Sequence, residues 1–302
     1  MKVYTRSGIR EISRKHGFRR SDSLGQNFLV DKNIIDKIVE SAELDENSLV
    51  IEIGPGMGAL TESLLEIAGK VVTIEIDSHI IPLLEENLGK NDKLEIINQD
   101  VLKVDFSEII TREKMRWKER GGTIGKVAVL GNLPYYITTP IIMGILEKEV
   151  AMDTMVIMMQ KEVAERIVAK PGSKIYGALS IACQFYCETD YVATVPRTVF
   201  QPQPKVDSAV LKLDRRKSLP WEVSDRELFF KIVRAGFNQR RKTILNSVST
   251  LDGLEKSELS DMLEQQKIDP RRRAETLSIE DFAGLSNRIS ENIHKTHKQT
   301  YK

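Results

Sequence analysis

Four consecutive residues, Asn132-Leu133-Pro134-Tyr135, combine hydrogen-bond acceptors with an aromatic ring. They follow the apolar run 127–131, which is typical of a buried parallel strand, so they stand at that strand's carboxyl end. Open α/β sheets bind ligands at this edge. Asn132 and nearby carbonyl groups could accept from an amine, while Tyr135 offers a face for stacking. This chemistry suits the exocyclic amine of a nucleobase. The four residues alone fit equally a strand-end turn in which Tyr135 fills the core.

A glycine-rich loop, Gly54-Pro55-Gly56-Met57-Gly58, joins the apolar strand 49–53 to a helical pattern that begins at Ala59. Glycine permits a sharp turn and lets the backbone approach a ligand without a Cβ atom in between. Ala59 stands where the dinucleotide-binding pattern has its last glycine, and that pattern tolerates alanine there. The loop therefore indicates a nucleotide-like cofactor without identifying it.

Two acidic residues end the next two strands of the sequence. Glu75 closes the run 71–75 and is suited to accept from ribose hydroxyls, while Asp100 closes the run 94–100 and is suited to accept from an adenine amine. Each acid alone could be an ordinary surface residue at a strand end. The glycine loop contains no Lys or Arg that could bind a pyrophosphate. This set favours S-adenosylmethionine over NAD as the cofactor.

These motifs resemble those of the ribosomal RNA adenine dimethyltransferase family, and in particular its bacterial small-subunit branch. The similarity extends from about Ser23 to about Leu285. The segments that carry it are Gly25 to Leu29, Gly54 to Gly58, Glu75, Asp100, Asn132 to Tyr135, Phe200 to Val210, Gln239 to Thr243 and Pro270 to Leu277. The resemblance implies an α/β fold, with a seven-stranded Rossmann-like class I methyltransferase sheet and a smaller all-helical C-terminal domain.

The resemblance also implies a reaction and a set of site residues. S-adenosylmethionine would methylate N6 of two adjacent adenosines in a 3'-terminal hairpin of small-subunit (16S) rRNA, with a role in small-subunit biogenesis. Tyr135 and Phe200 would stack on the extruded base. The implied catalytic residues are Asn132, Leu133, Pro134, Tyr135 and Phe200; the implied cofactor contacts are Asn27, Leu29, Gly54, Gly56, Glu75, Ile76, Asp100, Val101 and Asn132; the implied RNA contacts are Arg240, Arg241 and Lys242.

Charge is balanced over the whole chain but clustered locally. The net charge is +1 over 302 residues, whereas residues 1–20 contain seven basic residues and one acidic residue. Further basic clusters lie at 215–217, 240–242 and 271–273. Clustered cations on a balanced protein suit a phosphate backbone, although one or two of these clusters could be ordinary solvated faces.

Composition shifts predict four segments. They are a basic leader (1–22), an α/β segment (23–217), a helical segment (218–289) and a disordered polar tail (290–302). The family resemblance implies that the second is the methyltransferase domain and the third an RNA- or ribosome-binding domain. Residues 111–126 depart from the family pattern and predict a surface insertion, whose role the sequence does not reveal.

The cysteines, the histidines and the hydropathy pattern bear on metal binding and on location. Two cysteines and four scattered histidines supply no metal-ligand set, and the absence of a spanning apolar run predicts a cytoplasmic protein. We expect a monomer. The alternatives are a large-subunit rRNA adenine methyltransferase that confers macrolide resistance, a ribosome-assembly factor that acts mainly by binding, and, far less favoured, an NAD-dependent oxidoreductase.

Overall fold

The computed structural model describes residues 5–15, 24–251 and 254–300. Most of the predicted basic leader, residues 1–4 and 16–22, lies outside this range, as do the last two residues of the chain. The described part of the leader is a helix, α1 (Arg6–Lys15). Its Ile9 is buried against Met57 and Leu83.

Nine strands are present in the described residues, and seven of them form one sheet. The strands of this sheet are β2 (Ser48–Ile53), β3 (Lys70–Glu75), β4 (Leu94–Asn98), β5 (Lys126–Asn132), β6 (Thr154–Gln160), β7 (Cys187–Val195) and β9 (Ser208–Arg215). Their spatial order is β4-β3-β2-β5-β6-β9-β7. The short strands β1 (Phe28–Leu29) and β8 (Phe200–Gln201) pair separately. The predicted seven-stranded sheet is therefore confirmed.

Helices cover the sheet and form most of the rest of the chain. They are α2 (Lys32–Ala42), α3 (Ala59–Ile67), α4 (Ile81–Leu88), α5 (Phe106–Glu119), α6 (Thr138–Glu147), α7 (Lys161–Ile167), α8 (Ala178–Tyr186), α9 (Arg226–Asn238), α10 (Ile244–Val248), α11 (Lys256–Gln265) and α12 (Ile279–Thr300). The start of α2 shows why the local sequence folds this way. The Asp31 side chain accepts hydrogen bonds from the N–H groups of Asn33 and Ile34, which have no partner within the helix.

The order of the strands determines where a ligand can bind. The chain runs from β2 outward through β3 to β4, and then returns to the other side of β2 as β5. Strands β2 to β6 are parallel, and β9 runs antiparallel between β6 and β7. Ile53 of β2 pairs with Gly131 of β5 at the carboxyl edge. The crevice at this switch of direction is the usual ligand site of an open α/β sheet.

The helical part of the chain is not the continuous segment that the sequence predicted. The chain divides into one unit of Met1–Ala164 and Cys187–Arg215, and another of Glu165–Tyr186 and Arg216–Lys302. Residues 165–186 join the C-terminal helices because their aromatic side chains pack there. The ring of Phe185 lies 4.9 Å from that of Phe229 and 5.3 Å from that of Phe230.

The predicted surface insertion at residues 111–126 is also different in the structure. Its first half continues helix α5, and its second half is a short turn leading into β5. Arg116 forms ion pairs with Glu95 of β4 and with Glu113, which is buried. Trp117 packs so closely on Gly122 that an added Cβ atom there would meet its ring at 2.7 Å. The segment is polar because it forms the outer face of a helix of the fold.

Residues 290–300 of the predicted polar tail are helical in the structure rather than disordered. Helix α12 continues through residues 290–300, and Ser290 itself is buried. None of the described helices combines the length and the apolar character needed to cross a bilayer.

Candidate active site

A cavity of about 340 Å³ lies at the carboxyl edge of the sheet, within the range of typical ligand pockets. Its walls come from the segment around β1, the glycine loop after β2, the ends of β3 and β4, and the turn after β5. All the implied cofactor contacts line this cavity: Asn27, Leu29, Gly54, Gly56, Glu75, Ile76, Asp100, Val101 and Asn132. The structure therefore brings these nine residues together.

The glycine loop needs glycine for conformation as well as for space. Gly54, Gly56 and Gly58 have φ values of +67°, +55° and +90°, a region that other residues rarely adopt. A Cβ atom on Gly56 would lie 3.1 Å from the ring of Phe28. The loop can therefore pass close to β1 and leave the cavity open above β2.

The two acids at the strand ends are fixed by backbone hydrogen bonds. Glu75 Oε1 accepts from the N–H of Asp77 at 2.9 Å. Burial raises the pKa of Glu75, and N–H groups of Asp77 and Gly56 oppose that rise. Asp100 Oδ1 accepts from the N–H of Leu102 at 3.0 Å, at the start of a short 3-10 turn. In both residues the anchored oxygen sets the direction of the carboxylate, and the second oxygen can accept from a ligand.

A third acid in the cavity wall, Glu52, was missed by the sequence analysis. It lies inside β2, is fully buried and accepts a 2.7 Å hydrogen bond from Thr61 Oγ1. Burial raises its pKa to about 8, so this carboxyl group is mainly protonated at neutral pH. An acidic residue in an otherwise apolar strand, immediately before a glycine loop, was the signal that could have identified it.

The N-terminal segment is held to the site by two hydrogen bonds. Gln26 Nε2 donates to Asp77 Oδ2 at 2.7 Å, which joins the segment to the loop after β3. Asn132 Nδ2 donates to the carbonyl of Asn27 at 2.9 Å, which joins it to the end of β5. The second bond also fixes the orientation of the Asn132 amide. The amide nitrogen can only donate, so the oxygen Oδ1 is the group that can accept from a ligand.

The turn after Asn132 leaves the carbonyl group next to that residue open. The Pro134 carbonyl accepts from Thr138 Oγ1 at 3.0 Å and from the N–H of Ile137 at 3.2 Å. The Leu133 N–H donates to Met158 of β6, whereas its carbonyl has no donor among the described residues. Asn132 Oδ1 and the Leu133 carbonyl are thus two neighbouring acceptors that the end of β5 presents, and Pro134 serves to shape the turn.

Tyr135 is anchored at its hydroxyl group. Its Oη atom lies 2.6 Å from Ser208 Oγ at the start of β9, and its ring lines the cavity. Burial raises the pKa of Tyr135, so the phenol stays neutral. This hydrogen bond holds the ring beside the acceptors of the β5 turn.

Phe200 does not occupy the place expected for a stacking residue. Its side chain is 1% exposed and packs in the main core with Leu29, Ile38 and Val210 rather than lining the cavity. Leu29 and Phe200 are direct partners in the β1–β8 pair. In this arrangement Phe200 supports the strand that forms the cavity wall, and its ring is not among the groups that line the cavity beside Tyr135.

The predicted RNA-contact residues divide into two kinds. Arg241 and Lys242 are exposed between α9 and α10. Arg240 is exposed as well, but its guanidinium donates to the carbonyls of Lys174 and Tyr176, at 2.8 and 3.4 Å. Arg240 therefore stabilises the helical unit. Among the described residues no group of three His, Cys, Asp or Glu side chains is arranged to hold a metal ion.

The fold and the site define a class I methyltransferase that uses S-adenosylmethionine. The sheet order, the glycine loop and the anchored acids at the ends of β3 and β4 fit an adenosine-containing ligand. The chain belongs to the ribosomal RNA adenine dimethylase family, whose model matches residues 17–291.

Individual relatives agree with this assignment. The chain is similar to the ribosomal RNA small subunit methyltransferase A of Clostridioides difficile (strain 630), with 47% identity over 97% of this chain and 98% of that one. The protein of that name from Geobacillus sp. (strain WCH70) is 51% identical over 95% of this chain and 97% of its own length. Among solved structures, a dimethyladenosine transferase from Plasmodium falciparum has a TM-score of 0.72 and 27% identity, covering 87% of this chain and 98% of its own. The 23S rRNA methyltransferase ErmE has a TM-score of 0.65 and 27% identity, and the match covers 87% of this chain and 99% of that one.

Proposed function

We propose that this enzyme dimethylates N6 of two adjacent adenosines in a 3'-terminal hairpin of small-subunit (16S) rRNA. The observation that carries the proposal is the pair of acceptors after β5. Asn132 Oδ1 is oriented by the bond from Nδ2 to Asn27, and the Leu133 carbonyl lies next to it in the chain. An adenine amine has two N–H groups, which match two acceptors.

The same pair of acceptors explains how a poor nucleophile is activated. The lone pair of the adenine amine is delocalised into the ring, and hydrogen bonds from both N–H groups favour a pyramidal nitrogen whose lone pair is localised. S-adenosylmethionine, when bound, supplies an electrophilic methyl group on a good leaving group. Positioning alone can contribute about 7–11 kcal/mol to such a reaction. No strong base is needed, because the amine loses its proton after it has gained the methyl group.

Different residues of the cavity wall would bind S-adenosylmethionine and the adenine of the RNA. Glu75 and Asp100 would hold the ribose and the adenine of the cofactor, with Ile76 and Val101 against its base. Gly54 and Gly56 leave room for the rest of the cofactor beside Asn27 and Leu29. On the acceptor side, Tyr135 would stack on the extruded adenine, and such a contact contributes about 1–3 kcal/mol toward unstacking the RNA.

The choice of the small subunit rests on the relatives. Proteins named for the small subunit share 47% and 51% identity with this chain over nearly its full length, whereas the 23S rRNA methyltransferase shares 27%. This difference favours small-subunit rRNA over the large-subunit alternative. Binding to the subunit also gives the enzyme a role in its assembly, with the enzyme acting in the cytoplasm as a monomer.

The decisive test is transfer of radiolabelled methyl groups from S-adenosylmethionine to unmethylated small and large ribosomal subunits, followed by nucleoside analysis. We expect N6,N6-dimethyladenosine in small-subunit RNA alone. Label in large-subunit RNA would place the enzyme in the resistance branch. Binding to small subunits without label in either RNA would make it an assembly factor.

A further inference from the structure

One aromatic side chain at the cavity has no role in the reaction described above. Tyr136 follows Tyr135 directly and lines the same cavity, but its side chain is 57% exposed. No described residue hydrogen-bonds to its hydroxyl group or packs a ring against it, in contrast to the Tyr135–Ser208 pair. Tyrosine is enriched at binding interfaces, because its ring offers an apolar face while its hydroxyl group can stay in water.

The position of Tyr136 is fixed although its ring is exposed. The turn that carries it is closed by hydrogen bonds from Ile137 and Thr138 to the Pro134 carbonyl. On the opposite wall, the ring meets Gly25, whose added Cβ atom would lie 3.6 Å from Cε1 of Tyr136. The backbone that carries the ring is therefore fixed before any RNA binds, which lowers the entropy cost of a contact.

The exposed large side chains that line the cavity, Ile76, Leu102 and Tyr136, lie beside different functional residues. Ile76 and Leu102 are 50% and 44% exposed and lie one residue after Glu75 and two residues after Asp100, the acids assigned to the cofactor. Tyr136 instead follows the residues assigned to the methyl acceptor. Tyr136 thus lies at the part of the cavity that is assigned to the RNA.

We infer that Tyr136 is a stacking platform for the nucleotide next to the adenosine in the cavity. This inference rests on the proposed function. When one of two adjacent adenosines is extruded, its neighbour loses a stacking partner, and an aromatic ring at the rim replaces that partner. Every base has a π-face, so the platform accepts the neighbour both before and after that neighbour has been methylated.

In this role Tyr136 positions the RNA and does not contribute to the binding of the cofactor. The test uses unmethylated small subunits and compares the wild type with Tyr136→Ala and Tyr136→Phe. The matched control is Met115→Ala on α5, a side chain that is 60% exposed and does not line the cavity. The measurements are KM for the subunit, kcat, and the affinity for S-adenosylmethionine by calorimetry.

We expect Tyr136→Ala to raise KM for the subunit by about tenfold or more, as the loss of one stacked base would. Its affinity for S-adenosylmethionine should stay at the wild-type value. Tyr136→Phe keeps the ring and should restore KM, and Met115→Ala should match the wild type.

Three results would overturn the inference while the wild type remains active. They are an unchanged KM in Tyr136→Ala, an equal defect in Tyr136→Phe, and a parallel loss of cofactor affinity in Tyr136→Ala. A wild-type enzyme that does not label small subunits would instead overturn the proposed function, and the inference with it.

Discussion

Gln26 and Asp77 join two walls of the cofactor cavity through a 2.7 Å hydrogen bond from Nε2 to Oδ2. Gln26 belongs to the N-terminal segment, and Asp77 lies after the strand that ends at Glu75. Asp77 is buried, and its other oxygen accepts from the N–H of His79 at 3.0 Å. This pairing holds the N-terminal segment over the cavity before a ligand arrives.

The first prediction concerns this hydrogen bond. We expect Asp77→Ala to weaken S-adenosylmethionine binding by about tenfold, because a hydrogen bond to a charged group contributes about 1.5–3 kcal/mol. Turnover at saturating cofactor should change little, since Asp77 lies away from the acceptors after β5. Calorimetry and steady-state kinetics measure the two effects separately. Asp77→Asn keeps an oxygen for Gln26 and should recover most of the affinity; an equally weak Asp77→Asn variant would contradict this account.

The second prediction concerns the pH dependence of stability at Glu52. Burial raises its pKa to about 8 from an ordinary 4.5. Between these values the folded state keeps the proton and the unfolded state loses it, so the free energy of unfolding falls as pH rises, and the effect levels off above about 8. Glu52→Gln cannot titrate and still accepts from Thr61. Urea unfolding between pH 5 and 9 should show a smaller decline in this variant, and an unchanged decline would contradict the assignment.

Much of the site could be predicted because strands of a parallel sheet end at one edge. Gly54, Glu75, Asp100 and Asn132 each follow an apolar run, so the pattern of runs alone brings them to the same cavity. The cofactor residues around them were implied by the family motifs. The positions of these residues follow from where each apolar run ends, and the ends of the runs can be seen in the sequence itself.

Other features depend on contacts between distant segments, which no local pattern displays. Phe200 stands in a proline-rich segment that suggested an exposed loop, but its pairing opposite Leu29 buries it. Residues 165–186 belong with the C-terminal helices because Phe185 packs against Phe229 and Phe230. Arg240 looks like a free basic residue in the sequence, and only the fold brings two carbonyl groups to it.

The third prediction separates the two halves of the Asn132 amide. Asn132→Ala removes both the acceptor and the donor, and we expect kcat to fall by about 100-fold or more. Asn132→Asp keeps an acceptor but cannot donate to Asn27, so a smaller loss of about tenfold is expected. Binding to small subunits, measured by filter retention, should stay close to the wild-type value in both variants. Equal losses of kcat and of binding would contradict the assigned role.

The fourth prediction distinguishes RNA contact from structural support in the basic cluster 240–242. Arg241 and Lys242 are exposed, so the double variant Arg241→Ala/Lys242→Ala should weaken binding to small subunits and leave cofactor affinity unchanged. If each contacts one phosphate, the slope of log K against log salt should become shallower by about 2. Arg240→Ala is the matched control. It loses the bonds to the Lys174 and Tyr176 carbonyls and should lower the melting temperature, which the double variant should not. An unchanged salt slope in the double variant would remove this cluster from the RNA interface.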